Sequence, residues 1–178
     1  MGRLIVSAQM TMDGVMDQIE GWFDERGDVE DHGVEELRAA DAVLLGRETY
    51  ETLSQLWPSG SGPYAELINP LPKYVASTTL TGPLAWNAQL LGPETVAAVA
   101  ALKAEHAGSV LSYGCGALAN VLARAGLVDE VRFWLYPVVW GDGVRPFHAG
   151  RLPIRMRLIT AAQYSTGVVR LSYQPLAG

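Results

Sequence analysis

Soft metal ligands are scarce in this 178-residue chain, which has one cysteine, Cys115, and three histidines, His32, His106 and His148. A lone thiol closes no internal disulfide, and these residues do not stand at zinc-site spacing. No metal site is assigned, and a reducing compartment, the cytoplasm, is expected. Basic residues are in deficit, 13 against 19 acidic, leaving a formal net charge of -6. That balance repels polyphosphate backbones and anionic bilayers, so neither a nucleic acid nor a membrane is an expected partner. Long apolar runs are missing as well. The opening Met1-Gly2-Arg3-Leu4-Ile5-Val6 is too short for a signal peptide, and no stretch reaches the roughly 18 to 20 apolar residues of a membrane span, so the chain reads as soluble and unprocessed. No Gly-x-Ser-x-Gly occurs, which leaves no nucleophile-elbow hydrolase to consider.

What is present is apolar content, 49% of the residues, enough to bury a core and exclude intrinsic disorder. The length suits one domain over residues 1–178. Strand-like runs rich in β-branched residues occur at Arg3 to Ala8, Ala42 to Leu45, Tyr74 to Ser77, Val110 to Tyr113 and Val131 to Val139. Arg155 to Thr160 and Val168 to Tyr173 flank Ser165-Thr166-Gly167 as a closing hairpin. Helical patterns lie between, at Glu30 to Ala40, Glu48 to Leu56, Glu94 to Glu105 with Pro93 as a first-turn proline, and Ala117 to Ala125 closed by Gly126. The cluster Pro58-Ser59-Gly60-Ser61-Gly62-Pro63 reads as a loop. This alternation predicts an α/β sandwich with a central, mostly parallel mixed sheet and a C-terminal antiparallel hairpin.

Ligands of such sheets gather where strand ends meet helix starts, and three junctions have the chemistry for a phosphorylated cofactor. Val110-Leu111-Ser112-Tyr113-Gly114-Cys115-Gly116-Ala117 is a buried-type strand, a glycine turn and a helix. Gly114 and Gly116 can let a pyrophosphate approach backbone N–H groups, and they equally suit a tight turn needing positive φ. At Leu45-Gly46-Arg47-Glu48-Thr49, Arg47 can fork onto a phosphate and Thr49 can add a hydroxyl, although an Arg beside Glu48 and Glu51 also suits a solvated surface. At Lys73 to Leu80 a strand runs into Ser77, Thr78 and Thr79, hydroxyls that serve phosphates and turns alike.

These junctions occur in order with Thr11-Met12-Asp13-Gly14-Val15 and with Pro137-Val138-Val139-Trp140-Gly141-Asp142-Gly143. Together they resemble the dihydrofolate-reductase-like superfamily, and most closely the C-terminal reductase domain of the bifunctional riboflavin-biosynthesis deaminase/reductase, as a stand-alone member. The resemblance implies the three-layer sandwich of that superfamily, NADPH across the strand ends and hydride transfer to a small pyrimidine- or pterin-like heterocycle. It implies that Gly46, Arg47 and Thr49 face the cofactor phosphates, that Ser77 and Thr78 share the 2'-phosphate, and that Gly114, Cys115 and Gly116 meet pyrophosphate and nicotinamide. Asp13 and Gly14 match the loop covering the nicotinamide, with Thr11 in place of the usual Ser. A homodimer is implied too; its local support is the aromatic-rich segment Val131 to Trp140.

The chain departs from folate enzymes in ways that narrow the substrate. It lacks their Leu-Pro-x-Asp-Leu pattern, and Glu30 or Asp31 stand nearest to the missing acid; together with Asp13 these are the candidate catalytic carboxylates. The same acids also suit a helix N-terminus. Asn69-Pro70-Leu71-Pro72-Lys73 has no arginine fork for a glutamate tail, and no deaminase zinc motif is present. Trp22, Tyr50, Leu53 and Tyr113 are candidate substrate walls, and each also suits core packing. The alternative to a reductase is a non-catalytic NADPH-binding module of the same fold.

Overall fold

The structure, a computed structural model, describes residues 2–23, 27–147 and 153–176; His148 lies outside them. The chain divides into two compact units, residues 1–4 with 33–113 and residues 5–32 with 114–178.

In the first unit, β2 (Ala40–Gly46) is followed by α2 (Arg47–Leu56), α3 (Pro63–Ile68), β3 (Lys73–Ala76), β4 (Ala88–Leu90), α4 (Thr95–Glu105) and β5 (Ser109–Tyr113). The strand order is β4-β3-β2-β5, and every pairing is parallel. Parallel strands covered on both faces read as continuous apolar runs, and Ala42, Val43, Leu44 and Leu45 of β2 are all fully buried. α4 opens at Thr95 with Glu94 as its N-cap, so Pro93 precedes the helix instead of occupying its first turn. The cluster expected to be loop ends at Pro63, and there α3, a helix not anticipated from the sequence, begins with that proline in its first turn. Six residues make a marginal helix in isolation, and this one is tied down from outside. Lys73 is fully buried; its ammonium donates to the carbonyls of Ile68 at 2.6 Å and Asn69 at 2.8 Å and lies 4.2 Å from the Trp86 ring centroid.

In the second unit, most of β1 (Arg3–Thr11) runs parallel to β6 (Glu130–Tyr136), which pairs antiparallel with β8 (Val169–Pro175), and β8 in turn with β7 (Met156–Gln163). The order is β1-β6-β8-β7. The closing hairpin is thus as expected, with Gly167 at φ 86° in its turn. The run from Val131 stops as a strand at Tyr136 instead of Val139, because Pro137 has no N–H for a ladder. Trp22, Val29, Trp134, Tyr136, Tyr164 and Val168 form a buried cluster, with Trp134 stacked on Tyr164 at 5.4 Å and its indole N–H donating to Ser7 Oγ at 3.1 Å. The Trp134 and Tyr136 rings are therefore core, and Phe133 is buried as well. Internal packing accounts for these three aromatics without a second subunit.

α5 (Ala117–Arg124) follows the glycine turn, and α1 (Asp28–Arg38) begins in the second unit. The first turn of α1 holds Asp28, Glu30 and Asp31, acids that complement the helix dipole. The Asp28 carboxylate also accepts Ser165 N–H at 2.9 Å and Ser165 Oγ–H at 2.7 Å, which holds its pKa below the usual carboxylate value.

Candidate functional site

In the first unit, register assembles the phosphate-type residues. β2 and β3 pair with Gly46 opposite Ala76, so Arg47 and Ser77 are the next residues out of neighbouring strands. Gly46 has an extended backbone, φ -76° and ψ 163°, and no side chain caps α2 behind it. A Cβ there would meet nothing within 4 Å. The glycine is thus not required by conformation or by protein packing, and open space faces a helix start whose first N–H groups can take an anion. Arg47 is about two-fifths exposed, paired with Glu51 at 3.0 Å and Glu48 at 3.5 Å. Thr49 is half-buried in the first turn and Thr78 is exposed. The Ser77 hydroxyl accepts from Thr79 N–H at 3.1 Å and Leu80 N–H at 3.0 Å, so it also shapes the turn it belongs to. Gly46, Arg47, Thr49, Ser77 and Thr78 thus share one edge of this unit.

The substrate-wall candidates of this unit differ from one another. Tyr50 is buried, and its hydroxyl accepts from Ala85 N–H at 3.0 Å and donates to Ala85 C=O at 3.3 Å, which ties its polar end to the backbone. Leu53 is half-buried. Tyr113, at the end of β5, accepts a hydrogen bond from Tyr64 Oη–H at 2.7 Å, and the Tyr64 ring lies 4.6 Å from that of Trp57. Tyr64 and Trp57 escaped sequence reasoning because they flank the Pro58 to Pro63 cluster, outside every element expected there; Gly62-Pro63 as a helix start was the available signal.

In the second unit the Asp13 loop is built around its own side chain. Thr11 Oγ–H donates to Asp13 Oδ1 at 2.6 Å and accepts from Val15 N–H at 2.9 Å. The Asp13 carboxylate accepts two further bonds, from Trp140 N–H at 3.1 Å and Gly141 N–H at 2.7 Å. The Thr11 hydroxyl and these two amides hold its pKa far below the usual carboxylate value. Gly14 has φ 86°, a conformation that favours glycine, and the Arg145 side chain packs 3.6 Å from where its Cβ would be. Gly114 has φ 83° and donates to Ser7 C=O at 3.0 Å, so the tight-turn explanation of this glycine holds. Gly116 caps α5 without a side-chain bond. Cys115 between them is buried, and burial pushes its thiol up to about 12. Its carbonyl accepts from Phe147 N–H at 2.8 Å. Residues 140–147 therefore touch both Asp13-Gly14 and the glycine turn, connections between distant segments that no local pattern could show.

Glu30 and Asp31 are exposed on α1. Trp22 is buried at 6% exposure, 5.4 Å from the Tyr136 ring, with its indole N–H on Asp17 C=O at 2.9 Å. These contacts are those of core packing. Among the described residues no group of three or more His, Cys, Asp or Glu could hold a metal ion, and no helix is long and apolar enough to cross a membrane.

Comparison with known proteins bears on the family and the fold. The family model of the RibD C-terminal domain matches residues 3–170. An uncharacterized protein of Bacillus subtilis (strain 168), YyaP, is 28% identical over 177 residues, covering 96% of this chain and 94% of the relative. Among solved structures, a putative riboflavin biosynthesis protein from Shewanella sp. PV-4 is similar with a TM-score of 0.76 at 19% identity, covering 98% of this chain and 99% of that one. A dihydrofolate reductase from Enterococcus faecalis, complexed with NADP(H), is similar with a TM-score of 0.63 at 11% identity, covering 97% and 96%. At such identities the two structures show the fold, which is dihydrofolate-reductase-like.

Proposed function

The chain belongs to the RibD C-terminal domain family, and from that premise and the strand-end geometry we propose that it is an NADPH-dependent reductase acting on a small pyrimidine- or pterin-like heterocycle. The observation that carries the proposal is the Gly46 to Ala76 register, which sets a forked cation, an open helix start and two hydroxyl residues along one edge. Arg47, Ser77 and Thr78 would hold the 2'-phosphate, and Gly46 and Thr49 the pyrophosphate with the α2 N–H groups. Gly14, Gly114, Cys115 and Gly116 would line the remainder through backbone, a use that the buried Cys115 thiol permits. The cofactor when bound supplies the hydride; the chain positions the two reactants and keeps water away. Tyr113 and Leu53 would face the heterocycle.

A second reading, a non-catalytic NADPH-binding module, is favoured by one observation. Hydride reduction of a heterocycle needs a proton as well, yet Asp13 is held ionised by three donors and Glu30 and Asp31 are exposed.

Tryptophan-fluorescence titration with NADPH and NADH tests the cofactor assignment. We expect Arg47→Ala to weaken NADPH binding by about tenfold to a hundredfold, as for loss of a charge-assisted phosphate contact, and to leave NADH binding unchanged. Stereospecific hydride transfer to a member of a pterin and pyrimidine panel would then exclude the binding-only reading. Absence of NADPH binding would refute both.

A further inference from the structure

We propose that the loop after β6 is a structural strut of the cofactor site, and that Asp13 and Asp17 are positioning residues that clasp it, with Asp13 serving no proton-donor role. The inference rests on the NADPH reading above and adds to it a pair of positioning residues and a mechanical part.

The loop leaves β6 and is captured point by point. Val138 C=O accepts from Met12 N–H at 2.8 Å. Trp140 and Gly141 amides donate to the Asp13 carboxylate. The Val144 amide donates to Asp17 Oδ1 at 2.9 Å, and Val144 C=O accepts from Met16 N–H at 2.9 Å. Arg145 returns across the loop to the carbonyls of Asp13 and Gly141. Finally, Phe147 N–H reaches Cys115 C=O in the glycine turn. Two glycines make room for this seating. A Cβ at Gly143 would overlap the Asp17 carboxylate and Val15, and one at Gly21 would overlap the Trp140 ring.

The two carboxylates thus receive three backbone amides from one loop, and that loop reaches from Asp13-Gly14 at one end to Cys115 at the other. A general acid must carry a proton that it can release, whereas Asp13 Oδ1 accepts from both Thr11 and Trp140 and Oδ2 from Gly141. Three donors aimed at one carboxylate oppose its protonation. Its geometry is that of a clasp. Loosening the clasp should disturb the nicotinamide end of the cofactor and spare the adenosine 2'-phosphate end, which the reading assigns to Arg47, Ser77 and Thr78.

That asymmetry provides the test. Asp13→Asn and Asp17→Asn are compared with the unaltered protein for binding of NADPH and of 2',5'-ADP, which lacks nicotinamide, and amide hydrogen exchange is followed at Trp140, Gly141 and Val144. The expected result is NADPH weakened about tenfold by Asp13→Asn and less by Asp17→Asn, 2',5'-ADP affinity unchanged, and faster exchange at the amides each variant releases. Arg47→Ala, as control, weakens both ligands. Equal weakening of both ligands by Asp13→Asn, or unchanged NADPH affinity, overturns the positioning role; unprotected amides in the unaltered protein overturn the clasp itself. Should the unaltered protein bind neither ligand while its amides are protected, the cofactor reading is what has failed, and the positioning role falls with it. Asp17 makes one of the three amide bonds, so its variant still gives an answer if Asp13→Asn does not fold.

Discussion

The Cys115 thiol lies between two glycines at the start of α5, where a helix N-terminus ordinarily makes a cysteine reactive. Burial decides otherwise and pushes its pKa up to about 12. At pH 8 the thiolate fraction in the folded protein is then on the order of a thousandfold smaller than for a solvated thiol with its ordinary pKa of 9.0. We expect labelling by a maleimide or disulfide reagent at pH 8 to be negligible in the folded protein and rapid in denaturant; fast stoichiometric labelling of the folded form would show the thiol to be accessible. From the sequence Cys115 reads as a small residue tolerated between two glycines, and the burial found in the structure agrees with that reading. Arg47 is the opposite case, since its strand-glycine-helix setting and its pairing with Glu48 and Glu51 are legible from spacing.

At the scale of elements, Lys73 belongs to β3 but secures α3. Its ammonium satisfies two carbonyls at the end of that helix, and burial lowers its pKa from 10.5 to about 8. A depressed folded-state pKa means that the folded chain gives up its proton before the unfolded chain does. Stability from this group is therefore complete above pH 10.5 and is lost as pH falls through about 8. Lys73→Met should cost about 2 kcal/mol near neutral pH, since two buried carbonyls lose their donor. The variant should also lack the rise in stability between pH 8 and 10.5. Denaturant unfolding across that range checks both; an unchanged midpoint would mean that α3 does not depend on this lysine. Sequence reasoning passed over α3 because six residues after a Ser/Gly/Pro cluster have no helical periodicity to detect, and their anchor is a charge that composition rules place at the surface.

At the scale of the molecule, a net charge of -6 is compatible with the polyanionic cofactor we propose, because recognition in the proposed site would be local, resting on one cation and oriented N–H groups. The homodimer implied by the resemblance receives less support from Val131 to Trp140 than the aromatic count suggested. Phe133, Trp134 and Tyr136 are buried inside the chain, while Val139 and Trp140 are exposed. We still expect a dimeric mass by light scattering at micromolar concentration; a monomeric mass would remove the expectation.

Sequence by itself determined the succession of the longer strands and helices, though not α3 or β4, the parallel pairing of its β-branched runs, the closing hairpin and the glycine-bearing strand ends, because apolar periodicity and turn chemistry act between residues near in the chain. Tertiary structure alone decided that Trp22 and Trp134 are core, that Tyr113 is paired with Tyr64, that the Cys115 thiol is buried and that Asp13 is spent on the amides of Trp140 and Gly141. The physical reason is the same in each case. A side chain's burial and hydrogen-bond partners are set by segments distant in sequence, and the same residue type has different chemistry in water, in a packed core and beneath aligned backbone donors.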